Sequence, residues 1–171
     1  MRRGAALALL VLVACRTAAP DPKLRELDSI LQAKDDNDPR LDRDFNDLSE
    51  PTKSLLRRRY GELPLEYLNE RGTIVYLLGR NMRTTADWDF LRDVVSEPPC
   101  GSQSDCSKAD ERGSHGNEVT LAYPALVALK VAQREMGASG RHAARARRVV
   151  EAALRSESPA VRRLAERDPG R

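Results

Sequence analysis

Short amphipathic segments, joined by turns, constrain the fold of this chain more than any other feature. In the segment 22–33, for example, Leu24, Leu27, Ile30 and Leu31 recur with the 3.6-residue period of an α-helix and so lie on one side of it. Similar segments of about ten to eighteen residues follow along the chain. The pattern predicts an all-α fold, an irregular bundle of about six to seven helices with no significant sheet.

Local capping signals set the predicted helix bounds. Ser49 and Ser158 are each predicted to cap a helix that carries proline in its first turn, and Thr85 is predicted to cap another. Residues 34–44 are too acidic to be core and predict a connection. The predicted helices cover, in chain order, 22–33, 50–60, 65–80, 86–96, 118–136, 141–156 and a short segment that begins at Pro159.

The run Ile74–Leu78 is apolar on all sides and is compatible with either a buried strand or a buried helix. No second strand-like run is available to pair with it, and a lone strand would leave its backbone polar groups unsatisfied. We therefore predict a central, buried helix that ends near Gly79. The helix 141–156 is predicted to bury a narrow face of Ala143, Ala146, Val150, Ala153 and Leu154.

The N-terminus has the features of an export signal. Arg2 and Arg3 precede an apolar run over 5–14, which ends at Cys15. This run is about half the 20 residues that a membrane-spanning helix needs, so it predicts a cleaved leader over 1–14 rather than a transmembrane segment.

The four residues Leu12-Val13-Ala14-Cys15 resemble the bacterial lipobox. The resemblance implies that Cys15 is acylated after cleavage and binds the lipid bilayer, with 15–21 as a tether to one helical domain over 22–171. It also implies an exported protein of the cell envelope, which we expect on the outer membrane facing the periplasm. The alternative is an ordinary leader cut near Ala18-Ala19, which would release a soluble protein.

Two further cysteines lie in the long polar loop 97–117. Outside the cytoplasm, Cys100 and Cys106 are close enough in sequence to form a disulfide, which in so small a loop would contribute about 2 kcal/mol. The alternative to a disulfide is a zinc site formed by both cysteines with His115 and Glu118. The spacing between the two cysteines is, however, wider than that of a usual structural zinc pair.

Charge is unevenly distributed. Without Arg2 and Arg3 the formal charge of the chain falls from +3 to +1, which gives no reason to expect nucleic-acid binding. Residues 21–50 hold ten acids and five bases, whereas 141–171 hold nine arginines and four acids. These ends are either solvated helix faces that attract each other, or the arginine end binds acidic lipid or an acidic partner.

The prolines and arginines at two helix joins resemble HEAT or armadillo-like helical repeats. The residues are Asp38-Pro39-Arg40-Leu41 and Ser158-Pro159-Ala160-Val161-Arg162-Arg163-Leu164-Ala165. The resemblance spans roughly 38–168 and implies a curved surface for protein partners rather than a catalytic pocket. The long loop 97–117 departs from that family, and a single irregular bundle is the competing architecture.

Candidate metal and catalytic residues form no complete motif. Asp42, Asp44 and Asn46 have the alternating spacing of a calcium loop, but Asp47 replaces the required glycine and Lys53 the required glutamate. A looser calcium site with Asp35, Asp36 and Asp38 was the alternative. His115 lacks an identifiable nucleophile, and His142 at a helix start is expected to be solvated.

The sequence therefore favours a non-enzymatic, membrane-anchored lipoprotein without cofactors, whose helical domain binds a protein partner in the envelope. The expected contact surfaces are the loop 97–117 and the arginine-rich C-terminal helices, with Arg145, Arg147 and Arg148 as candidate binding residues. The alternative function is a small metal-dependent hydrolase or sensor that uses calcium or zinc.

Overall fold

A computed structural model describes residues 21–99, 119–137 and 141–167. Within these ranges the chain forms α-helices and no strand, which confirms the all-α helical bundle. The helices are α1 (Pro22–Ala33), α2 (Pro39–Arg43), α3 (Glu50–Glu62), α4 (Leu68–Gly79), α5 (Thr85–Val95), α6 (Tyr123–Gly137), α7 (Ala143–Ala153) and α8 (Pro159–Ala165).

Side-chain caps followed by proline start four of these helices. Asp21, Asp38, Ser49 and Ser158 each accept a hydrogen bond from a backbone N–H of the first turn, and a proline stands at the first or second helical position. The predicted caps Ser49 and Ser158 are confirmed. At α5 the cap is Thr84 rather than the predicted Thr85.

The structure corrects the prediction at two further places. The connection 34–44 contains the short helix α2, because Asp38 accepts a hydrogen bond from the Arg40 backbone N–H at 2.9 Å and Pro39 is preset for a helix. Leu154, predicted to be buried, is 44% exposed, because α7 ends at Ala153 and Val149 takes a place on the buried side instead.

Helices α4 and α6 form the centre of the bundle. Ile74, Val75, Leu77 and Leu78 of α4 are all buried, as predicted for a central helix ending near Gly79. Helix α4 packs on α6, and α6 also contacts α5, α7 and α8. These contacts bury the apolar faces of the flanking helices.

Two glycines allow α4 to approach α6 closely. A Cβ atom at Gly72 would lie less than 3.0 Å from the ring of Tyr123, and one at Gly79 less than 3.0 Å from a methyl group of Val131. The two glycines are seven residues apart and therefore lie on the same side of α4. A side chain at either place would force the helices apart or displace its neighbour.

Helix α5 buries the predicted face of Trp88, Leu91, Val94 and Val95. The Trp88 ring lies against His142, with ring centroids 5.7 Å apart. His142 is half-buried rather than solvated as predicted, because α5 packs against the start of α7. The Nε1 atom of Trp88 and the Nδ1 atom of His142 are buried without hydrogen-bond partners.

Candidate functional surfaces

The exposed side of α7 is basic. Arg147 and Arg148 are exposed there, Leu154 and Arg155 extend the same side beyond the end of the helix, and Arg145 is half-buried at its edge. We call these five residues the basic face. The structure thus brings together the three arginines that the sequence singled out, although only two of them are exposed.

The arginines of the basic face differ from those of the N-terminal part in their pairing. No described residue forms an ion pair with Arg145, Arg147, Arg148 or Arg155. In the range 21–99, by contrast, every arginine except Arg25 belongs to an ion pair. Among the described residues of α7, Glu151 is the single acid and forms no ion pair, so the helix carries a net positive charge, which is the electrostatic property of a surface that attracts anions.

Seven of the ten acidic residues of 21–50 form ion pairs among the described residues, and all seven pair locally rather than with the C-terminal arginines. The ion pairs of this range join it to bases between residues 23 and 83, as in Asp28–Arg59 at 3.0 Å and Asp42–Arg80 at 2.6 Å. In the described structure α1 contacts α3, whereas α7 contacts α5, α6 and α8. These ion pairs therefore do not provide the predicted attraction between the acidic range 21–50 and the arginine-rich range 141–171.

A second surface combines acids with exposed tyrosines. Two adjoining cavities of about 350 and 270 Å³ both have Asp36 in their walls. Beyond Asp36, this tyrosine groove is lined by the acids Glu66 and Glu70, by the base Lys34, and by Tyr67, Tyr76 and Tyr123. Each of the three tyrosines is at least 39% exposed.

Three of the carboxylates in the tyrosine groove are free of ion pairs. Asp36, Glu66 and Glu70 have no basic partner among the described residues, whereas Asp38 and Asp42 at one end are bound by Arg40 and Arg80. With these three acids against one lysine, Lys34, the groove presents net negative charge beside aromatic rings.

The residues with calcium-like spacing are engaged by arginines. Asp42 accepts hydrogen bonds from Tyr76 and Arg80, Asn46 also binds Arg80, and Asp44 pairs with Arg43 at 2.7 Å. In the described ranges, Asp35, Asp36 and Asp38 included, no three His, Cys, Asp or Glu side chains are placed to hold a metal ion.

Two largely buried charge clusters join the helices of the bundle. In the first, Asp87 binds the Lys53 ammonium at 2.7 Å and the Arg57 guanidinium at 2.7 Å. Burial alone would raise the pKa of Asp87, but the hydrogen bonds from Lys53 and from the backbone N–H groups of Arg83 and Thr84 outweigh it and hold that pKa below its usual value. Within the described residues, neither Lys53 nor Asp87 lines the tyrosine groove.

The second cluster links α3, α4 and the end of α5. Arg71 lies 3.9 Å above the ring of Tyr60, donates to the backbone carbonyl of Leu63 and pairs with Glu97 at 2.6 Å. The Tyr60 hydroxyl also donates to Glu97, at 2.8 Å. Burial, together with the negative charge of Glu97, raises the pKa of Tyr60 well above its ordinary value.

Sequence reasoning missed the tyrosine groove and both buried clusters. Only the cluster around Asp87 has a local sequence signal. Thr84 and Asp87 are spaced as a capping box, in which each side chain binds the backbone of the other. That spacing predicts the cap but not Lys53 as a partner of Asp87. The groove residues come from three separate segments, and no pattern in the sequence connects them.

Several predicted features lie outside the described residues. These are the leader and Cys15, the pair Cys100 and Cys106 with nearly all of the loop 97–117, and the histidine and glutamate of the zinc alternative, His115 and Glu118. In the ranges that the structure does describe, no helix has the length and apolar character needed to cross a bilayer.

No protein-family model, curated protein or solved structure matches this chain. Functional inference therefore depends on its own residues.

Proposed function

We propose that this chain is a bacterial envelope lipoprotein whose helical domain is a non-catalytic scaffold that binds an acidic protein partner through the basic face. Acylated Cys15 would hold it on the membrane, on the outer membrane facing the periplasm, and the loop around Cys100 and Cys106 would add a second contact. We also propose that the helices are arranged as in HEAT-like repeats.

The observation that carries the proposal is the unpaired state of the arginines on the basic face. Every arginine of 21–99 except Arg25 belongs to an ion pair, whereas the four arginines of the basic face have no ion pair with any described residue. Arginine is also enriched at protein interfaces, because its planar guanidinium binds carboxylates through two parallel hydrogen bonds. An acidic partner would supply further carboxylates to a face on which, among the described residues of α7, Glu151 is the single acid.

A protein fits this surface better than a membrane does. Glu151 is exposed on α7 between Arg147 and Leu154, and a carboxylate in that place would repel the anionic headgroups of a bilayer. On a protein partner it can instead meet a basic residue and fix the register of binding. The exposed Leu154 gives the same surface an apolar contact.

The binding experiment is crosslinking in membranes followed by purification of the full-length chain. We expect a reproducible acidic partner whose recovery falls as salt rises, since salt screens surface charges. Replacing Arg145, Arg147 and Arg148 with alanine should abolish that recovery. The matched control replaces Arg25, Arg58 and Arg92, which removes the same charge from other exposed positions and should leave recovery intact.

Two results would contradict the binding proposal. One is that no reproducible partner is recovered, and the other is that the variant at Arg145, Arg147 and Arg148 recovers it as well as the control. Loss of binding to vesicles of anionic phospholipid by that variant, with no protein recovered, would assign the basic face to the membrane instead.

The anchor has its own test. Cys15→Ala should abolish labelling of the chain by a radioactive fatty acid, because the thiol that forms the thioether bond is gone. It should also release the chain from the membrane fraction without detergent. Labelling that persists in Cys15→Ala would contradict the lipobox interpretation, whatever the binding experiment gives.

A further inference from the structure

The tyrosine groove has the chemistry of an arginine-binding site. Its free carboxylates Asp36, Glu66 and Glu70 can accept hydrogen bonds from guanidinium groups, and Tyr67 and Tyr123 offer exposed ring faces beside them. A cation over an aromatic ring is attracted by the negative face of the ring, and arginine stacks on such faces more often than lysine does.

The chain uses the same combination of acid, tyrosine and arginine within its own fold. Arg71 lies over the ring of Tyr60 while it pairs with Glu97. At one end of the groove, Arg80 lies 5.4 Å from the centroid of the Tyr76 ring while it pairs with Asp42. The rest of the groove has the acids and the rings but no arginine of its own.

We infer that the tyrosine groove binds the basic face of a second copy of this chain. Among the described residues, the groove holds three carboxylates without ion pairs beside one lysine, Lys34, and the basic face holds four arginines without ion pairs, so the two surfaces complement each other in net charge. Leu154, exposed on the basic face, would pack on the tyrosine rings. The inference depends on the proposed function in one respect, which is that the basic face binds a protein.

Such a contact joins two different surfaces and is therefore head-to-tail. A head-to-tail contact leaves one free groove and one free basic face on every dimer, so copies can add at both ends. A few surface ion pairs give only weak association in solution. Anchoring both copies to one membrane would raise their effective concentration and favour the contact there.

The test uses two differently tagged full-length chains in detergent, one captured on a resin and the other detected with it. One variant, Arg147→Glu with Arg148→Glu, reverses the basic face. A second, Asp36→Lys with Glu66→Lys, reverses the groove. The control, Arg58→Glu with Arg92→Glu, changes the charge as the first variant does but at exposed positions outside both surfaces.

We expect capture of the second copy at low salt, a loss of about tenfold in each of the two variants when paired with itself, and no loss in the control. Mixing the two variants should restore capture, because the intact groove of one meets the intact basic face of the other. Recovery on mixing also shows that both variants are folded.

Three results would overturn the inference: no salt-sensitive capture by the parent chain, no loss in either variant, or no recovery on mixing. Loss in the groove variant alone would mean that the groove binds some other segment. The proposed function is tested independently of self-association, because the groove variant keeps an intact basic face. If the parent chain shows no self-capture but still recovers an acidic partner from membranes, the proposed function stands without self-association.

Discussion

The ammonium group of Lys53 and the carboxylate of Asp87 form an ion pair at 2.7 Å in which neither side chain is exposed to solvent. The Lys53 ammonium also donates to the backbone carbonyl of Asn81 at 3.0 Å and contacts Glu50 at 2.6 Å. A buried ion pair is tolerated when hydrogen bonds satisfy its remaining polar atoms, as they do here. The pair fixes the start of α5 against α3.

Removing Lys53 from this pair should destabilise the fold strongly. Lys53→Met removes one of the two cations that bind the buried Asp87 carboxylate and leaves Arg57 at 2.7 Å, and we expect a loss of about 3 kcal/mol in the free energy of unfolding. Denaturant unfolding followed by the fluorescence of Trp88, the single tryptophan, measures it. Lys23→Met, at a half-exposed ion pair, should cost less than about 1 kcal/mol. Equal losses in the two variants would contradict the prediction.

Asp87 should also make the fold sensitive to acid. Because its pKa is lowered in the folded chain, its contribution to stability is complete above the usual value of 3.8 and is lost as the pH falls below 3.8 through the folded-state value. The free energy of unfolding of the parent chain should therefore fall more steeply below pH 3.8 than that of Asp87→Asn. Parallel pH profiles for the two would show that Asp87 does not contribute.

The glycines between α4 and α6 should respond differently to alanine. Gly79→Ala brings a Cβ atom against Val131, a stiff and buried side chain, and we expect a net loss of about 1 to 3 kcal/mol in unfolding free energy. Gly72→Ala should cost less, because the Tyr123 ring that it meets is 40% exposed and can turn away.

Gly61 is the matched control for these two substitutions. It lies in α3 with no atom within 4 Å of a Cβ placed there, so Gly61→Ala should stabilise the chain by about 0.5 to 1 kcal/mol through helix propensity alone. If Gly79→Ala stabilises the chain as much as Gly61→Ala does, α4 and α6 are not in close contact.

Local signals were enough to predict where most helices begin. Pro22–Ala33 forms over the predicted residues, and the caps Ser49 and Ser158 act as expected, because a cap and the first turn that it binds are neighbours in sequence. The acidity of 34–44 predicts a connection, but the helix α2 forms within it. Asp38 supplies the cap there, and acidic side chains favour the start of a helix.

Relationships between distant segments could not be predicted in the same way. Lys53 and Asp87 are 34 residues apart, and each has an ordinary place on an amphipathic helix. The arginines of α7 could be identified from composition, but their lack of partners depends on which helices the fold places beside them. The tyrosine groove depends in the same way on the packing of α4 against α6.

Arg71 should prove irreplaceable by lysine. Its guanidinium covers the Tyr60 ring, donates to the backbone carbonyls of Tyr60 and Leu63, and binds Glu97, all from a side chain that is 4% exposed. Lysine carries the same charge but cannot satisfy these acceptors from one planar group, so Arg71→Lys should lower the free energy of unfolding by about 2 to 3 kcal/mol.

Tyr60→Phe separates the hydroxyl from the rest of this cluster. It removes only the 2.8 Å hydrogen bond to Glu97 and keeps the ring beneath Arg71, so the expected loss is about 1 kcal/mol. Both variants are measured by denaturant unfolding with Trp88 fluorescence. A loss in Arg71→Lys no larger than that in Tyr60→Phe would mean that charge alone, rather than the planar geometry of the guanidinium, holds α3, α4 and Glu97 together.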